Sequence, residues 1–162
     1  MKRFSDFKFK RINEQEVAFG QNTNVTKEEP QTEEFKKSGV AKFASKIFES
    51  RQMAHVFHLQ TRGDGSYAQH IALGEYYDGI LDLIDSFIEV YAGQYQIIEN
   101  YEIIDTTDAI DRNKVDYFVD LTEFIKSTRY TDISKEDTHL QNIIDEIVAL
   151  IYRTLYKLKN LG

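Results

Sequence analysis

The sequence contains no cysteine. That removes disulfides, thiolate nucleophiles and every cysteine-ligated zinc or iron-sulfur centre, so any metal has to be held by histidine and carboxylate. Long apolar runs are missing as well, and Met1-Lys2-Arg3-Phe4-Ser5-Asp6-Phe7 lacks the apolar core of a signal peptide. No membrane span is expected, and the chain reads as soluble and cytoplasmic. An excess of positive charge is also lacking. The 20 Lys and Arg are outnumbered by 27 Asp and Glu, a net charge of -7, and an acidic body repels nucleic acid. Gly63-Asp64-Gly65 is not followed by the lysine and hydroxyl residue of a nucleotide loop, and no Ser-His-Asp arrangement supports acyl transfer. Glu-x-x-His occurs once, at Glu136–His139, and not on two helices as an intrasubunit diiron bundle requires.

What is present is an apolar and aromatic content, 41% and 13%, that suits one globular domain of 162 residues. Residues 1–38 hold the one proline, Pro30, and show no sustained period, so they are expected to form an extended or disordered arm. Only its tip is basic, through Lys2, Arg3, Lys8, Lys10 and Arg11 against Asp6. Phe4, Phe7 and Phe9 lie among these charges and would suit a groove on a protein partner, while DNA binding is disfavoured.

Residues 39–162 read as an all-α four-helix bundle. Val40, Phe43, Ala44, Ile47, Phe48 and Ala54 recur at threes and fours and predict a helix over about 40–61. Gly63-Asp64-Gly65 breaks it. Ser66 with Gln69 then reads as a capping box opening a second helix over about 67–92, with Ile71, Leu73, Tyr77, Ile80, Leu81, Ile84, Phe87, Ile88 and Tyr91 inside and Gly93 just past its end. A third helix fits about 108–128, starting at Asp108 and burying Val115, Phe118, Val119, Leu121, Phe124 and Ile125. A fourth fits about 135–160, capped by Ser134 and Asp137, with a stripe from Leu140 to Leu158. Short links make each sequential pair, first with second and third with fourth, an antiparallel hairpin. Residues 94–107 could stretch to roughly 46 Å at about 3.3 Å each, which permits one long crossover between a parallel second and third helix, as in ferritin-like folds.

Three of the four histidines fall between His55 and His70. His58 and His70, followed by Asp85 and Glu89, form the candidate metal set, because imidazole and carboxylate together suit iron, zinc or manganese. The two carboxylates are spaced i, i+4 on one helix face. His70 and Asp85 are about 15 residues apart on one helix, roughly 22 Å, so one chain cannot bring them together. Two chains with their second helices antiparallel about a twofold near Gly79 can, since the histidine end of one then meets the carboxylate end of the other. Close helix approach at that dyad would account for a glycine inside a helix. His55 is expected to be solvated or hydrogen-bonded, and His139 has no evident partner.

The spacing of His58, His70, Asp85 and Glu89, with Gly63, Tyr67, Tyr77 and Asp82 among them, resembles the Dps group of mini-ferritins over roughly residues 40–93. The resemblance implies a homo-oligomer with intersubunit sites where iron is bound and oxidised by peroxide or oxygen. Two departures are visible. Gly74 stands where that group usually has an acidic ligand, and Leu59 stands where tryptophan often follows the first histidine. These leave ferroxidase activity open and allow a site that holds zinc or manganese instead. The stretches Ser66–His70 and Gly74–Gly79 are also similar to a ferritin-like family from tailed bacteriophages. Met1–Phe7 is similar to segments that direct internal proteins into phage heads. The alternative is therefore a phage-type structural or interaction protein without catalysis, attached by its arm to an assembly such as a virion head, in the host cytoplasm or the virion.

Overall fold

The computed structural model describes residues 30–161, with side chains from Gly39 onward except Ile110. Four helices make up the bundle: α1 (Pro30–Leu59), α2 (Ser66–Gln94), α3 (Lys114–Thr128) and α4 (Thr138–Asn160), with a short 3-10 turn at Thr107–Ile110. No strand occurs among the described residues.

Several boundaries differ from the expectation, each for a local reason. α1 begins at Pro30, so residues 30–38 are helical rather than part of an extended arm, and the basic tip lies outside the described residues. Proline suits a helix's first position, where its missing N–H has no partner to lose. A stretch rich in charged residues carries no apolar periodicity to read, yet it can prolong a helix already packed from Val40 onward. The third helix starts at Lys114 instead of Asp108, because the Asn113 side chain accepts from the N–H groups of Val115 (2.8 Å) and Asp116 (3.2 Å). Ser66 is the first residue of α2 and makes no cap; Gly65, at φ 72, holds that position, and Gln69 is used elsewhere. α2 runs through Gly93 to Gln94.

The pairing of side chains sets the directions of the helices. Phe43 meets Phe87 with ring centroids 5.1 Å apart, and His58 meets His70, so α1 and α2 run antiparallel. Gly79 faces Leu150 and Gln94 meets His139, which makes α2 and α4 antiparallel. Arg129 bonds Gln141 and Asp145 between α3 and α4. Phe57 stacks edge-on against Tyr117, and Gly39 lies against Asp132, which sets α3 antiparallel to α1. The packing order around the bundle is therefore α1, α2, α4, α3. α2 and α3 lie across the diagonal and meet through Tyr76 and Phe118 in the middle of the core.

Residues 95–113 leave α2 beside Asp137. The Glu102 N–H donates to Ser45 Oγ (2.8 Å) and the Tyr101 ring lies on Phe48, so this segment passes over α1. It ends at Lys114, whose Nζ donates to Gln69 Oε1 (2.9 Å) in the first turn of α2.

The core is apolar and continuous, from Val40, Phe43 and Ile47 on α1 to Ile144, Ile147 and Ile151 on α4. The inward side of α2 is rotated from the expected one. Tyr76 is fully buried, Tyr77, Leu81 and Ile88 are only partly buried, and Ile71 is exposed. On α3, Tyr117 is buried where Val119 was expected and Val119 faces out.

Candidate functional site

His58 sits in the last turn of α1 and His70 near the start of α2, on either side of a turn made by Gly63 and Gly65 with φ of 87° and 72°. Positive φ of this kind is open to glycine at little cost and strained for other residues, and it brings the two helices together within a few residues. The imidazoles stack, with centroids 3.6 Å apart and planes 24° from parallel. His58 Nδ1 lies 2.8 Å from the His70 carbonyl, and His70 Nδ1 lies 3.3 Å from the His58 carbonyl. A carbonyl only accepts, so each Nδ1 carries the proton and donates. In the neutral ring each Nε2 then keeps its lone pair, which is the form that ligates a metal.

Gly74, one turn beyond His70, lies under the His58 ring. A Cβ placed there would stand 3.5 Å from His58 Cε1. Tyr77 closes the side of this group, edge-on to His58 at 5.2 Å and tilted against His55 at 4.7 Å. His55 is thus half-buried against an aromatic ring.

Asp85 and Glu89 are exposed on the outer face of α2, as are Asp78 and Asp82. None of the four has an ion-pair or hydrogen-bond partner among the described residues, whereas Glu75 on the same helix pairs with Lys157 of α4. Asp85 lies close enough to the crossing segment to help raise the pKa of the Tyr101 phenol, after burial as the larger cause. The two carboxylates are separated from the imidazole pair by the length of helix between them, roughly 22 Å from His70 to Asp85. Among the described residues no three His, Asp or Glu side chains of one chain gather in a way that could hold a metal ion. His70, Gly74, Tyr77, Asp78, Leu81, Asp85 and Glu89 do share one side of α2, within about 120° of helix rotation.

Gly79 lies against α4 within the chain. The Cβ it lacks would face Leu150 of α4 at 3.5 Å, an ordinary contact distance, so packing within the chain does not itself require a glycine there. His139 has a partner after all, the Gln94 side-chain carbonyl. Gln94 Nε2 in turn donates to Asp137 Oδ1 (2.8 Å) and the Tyr95 hydroxyl donates to Asp137 Oδ2 (2.6 Å). Asp137, expected as a helix cap, makes no cap hydrogen bond and is instead the centre of this network. The sequence offers no signal for it, because the partners are more than forty residues apart.

Residues 58–158, more than half of the chain and all four candidate ligands with it, match the model of a family described as Family of unknown function (DUF5856). Comparisons with curated proteins and with solved structures give no match.

Proposed function

The chain belongs to the DUF5856 family, whose function is unknown, and we propose that it is a ferritin-like protein that binds metal between two protomers, with ferrous iron as the substrate oxidised by peroxide or oxygen. In each site His58 and His70 come from one protomer and Asp85 and Glu89 from the other.

The helix order α1, α2, α4, α3 supports the ferritin-like part of this reading, together with the placement of Lys114 beside Gln69. Both fit a parallel α2 and α3 joined by one long crossover, whereas an up-down-up-down bundle would set α2 and α3 antiparallel and side by side. The observation that carries the functional part is the stacked imidazole pair, with both Nδ1 atoms facing carbonyls and both Nε2 atoms left for a ligand.

Charge supports the shared site. Four unpaired carboxylates along one helix face repel one another, and a cation or a complementary surface relieves that cost. If two α2 helices cross antiparallel with the twofold between Gly79 and Ile80, Glu89 of one opposes His70 of the other. Asp85 then opposes Gly74 beneath His58, Asp82 opposes Tyr77 and Asp78 opposes Leu81. In this register no acid faces an acid, and the residue lacking a side chain, Gly74, leaves room for the incoming carboxylate.

Gly74 also favours a second reading. It withholds the acidic ligand that the resemblance implies, so the bundle could hold zinc or manganese without oxidising anything, or could serve as a structural protein attached by its arm. One mixing experiment separates these. His58→Ala/His70→Ala and Asp85→Ala/Glu89→Ala variants are each expected to lose zinc and ferrous iron binding, measured by competition with a chromophoric chelator. Mixing the two, after unfolding and refolding together, should restore one site of two in each heterodimer. Absence of restoration, or equal metal uptake by wild type and the histidine variant, rejects the shared site. Metal uptake without ferric product in an iron assay selects the non-catalytic form.

A further inference from the structure

At the end of the bundle away from His58 and His70, a cavity of about 510 Å³ opens between the last turn of α2 and the loop joining α3 to α4. That volume lies within the range of small-molecule sites. Three tyrosines contribute to its walls. Tyr91 and Tyr95 meet at a tilt of 39° with centroids 5.0 Å apart, and Tyr130 and Ile133 stand across from them.

Two acidic residues, Asp132 and Asp137, line this space. Asp137 is 7% exposed, and each of its oxygens accepts one hydrogen bond, from Gln94 and from Tyr95. A carboxylate can accept about four, so acceptor capacity remains. Asp132 is half-buried, and its carboxyl has no hydrogen-bond or ion-pair partner among the described residues. It lies against the backbone of α1 at Gly39, where a Cβ would overlap it. Burial pushes its pKa up, and Lys42 offsets only part of that. Lys135 is the one cationic residue in the lining, and it lies over the Tyr130 ring at 5.0 Å, with Arg129 on the same ring at 4.7 Å.

A half-buried carboxylate without a partner is costly, and a cation relieves it. Tyrosine faces add attraction for that cation through their quadrupoles. An apolar frame on the ligand would cover Ile133 and the ring surfaces. We propose that this cavity is a binding site for a small organic cation, an amine carried on a compact apolar frame, held by Asp132 and Asp137 and enclosed by Tyr91, Tyr95 and Tyr130.

The test uses the full chain and 2-phenylethylamine, titrated by calorimetry against its neutral counterpart 2-phenylethanol. Saturable binding of the amine is expected, with the alcohol weaker by about ten-fold, the difference made by one charge-assisted hydrogen bond. Asp132→Asn should weaken the amine by a similar factor and leave the alcohol unchanged. Tyr130→Leu, an exposed position, should weaken both. Thermal melts of each variant confirm that the bundle is intact. No saturable binding of the amine, equal binding of amine and alcohol, or an affinity indifferent to both substitutions overturns the proposal, the last by assigning binding to the acidic face of α2.

Discussion

Ser50 and Tyr76 show how a few buried polar atoms are held in an apolar core. Both residues are fully buried. Ser50 Oγ donates to the Ile47 carbonyl at 2.7 Å, and a hydroxyl has one proton, so Tyr76 must be the donor in the 2.7 Å bond between the two hydroxyls. Ser50→Ala leaves the Tyr76 hydroxyl without an acceptor and should cost about 1–3 kcal/mol, whereas Tyr76→Phe leaves Ser50 bonded to Ile47 and should cost about 0.5–1.5 kcal/mol. The double variant should cost clearly less than the two together, since no orphan remains; urea unfolding of all four proteins checks this, and additive losses would show that the bond is unimportant. Tyr117 is the contrasting case. It is 1% exposed and its hydroxyl has no hydrogen-bond partner among the described residues, although Glu49 lies near enough to act on it electrostatically. Tyr117→Phe is therefore expected to be neutral or stabilising by about 1 kcal/mol, read from the same unfolding curves.

At the scale of the element, helix glycines separate by what stands opposite them. Replacing a helix-interior glycine by alanine gains up to about 1 kcal/mol of propensity, unless the new methyl finds no room. At Gly93 nothing lies within 4 Å of the new Cβ, and at Gly79 the nearest atom, on Leu150, is at an ordinary contact distance of 3.5 Å. Neither has positive φ. Both alanine variants should raise the melting temperature. Gly39 is different, because a Cβ there would come within 2.8 Å of Asp132 Cβ and overlap its carboxyl. Overpacking costs about 1–3 kcal/mol and exceeds the propensity gain, so Gly39→Ala should lower the melting temperature. A stabilised Gly39→Ala protein would mean that α1 and the α3–α4 loop can separate without loss. The same substitution bears on the proposed dimer: if Gly79→Ala changes oligomer size by light scattering, a second α2 helix packs close to Gly79.

The whole molecule should be sensitive to alkali. Burial is the main cause that pushes up the phenols of Tyr76, Tyr91, Tyr101 and Tyr117, while Tyr95 is raised to about 12 chiefly because its hydroxyl donates to Asp137. The folded pKa values exceed the unfolded value of 10.0. The resulting stabilisation is full below about pH 10 and is lost as pH rises through the folded values, because the unfolded chain then sheds protons that the folded one retains. The melting temperature should hold steady from about pH 7 to 9 and fall above about pH 10, more gently in Tyr76→Phe/Tyr117→Phe. An identical fall in that variant would place the cause outside the buried phenols. No helix among the described residues is long and apolar enough to cross a membrane.

Residue spacing alone determined that residues after 39 form four helices, that a glycine turn folds the first pair together, and that His58 and His70 flank that turn. A period of three and four marks an apolar face and a Gly-x-Gly turn marks a reversal, and both are local. Tertiary structure decided the rest. Whether Tyr76 or Tyr77 points inward depends on which neighbours α2 has, and the passing segment 95–113 turns Leu81 and Phe48 into a second, half-covered apolar strip. α1 continues to Pro30 and α3 waits until Lys114 because a polar helical stretch and an asparagine cap leave no hydrophobic trace. The stacking of two imidazoles over Gly74, the meeting of Gln94 with His139, and the cavity beside Asp132 all join residues from different helices. Only packing in three dimensions sets those distances, since periodicity specifies which side of a helix is buried and not what it is buried against.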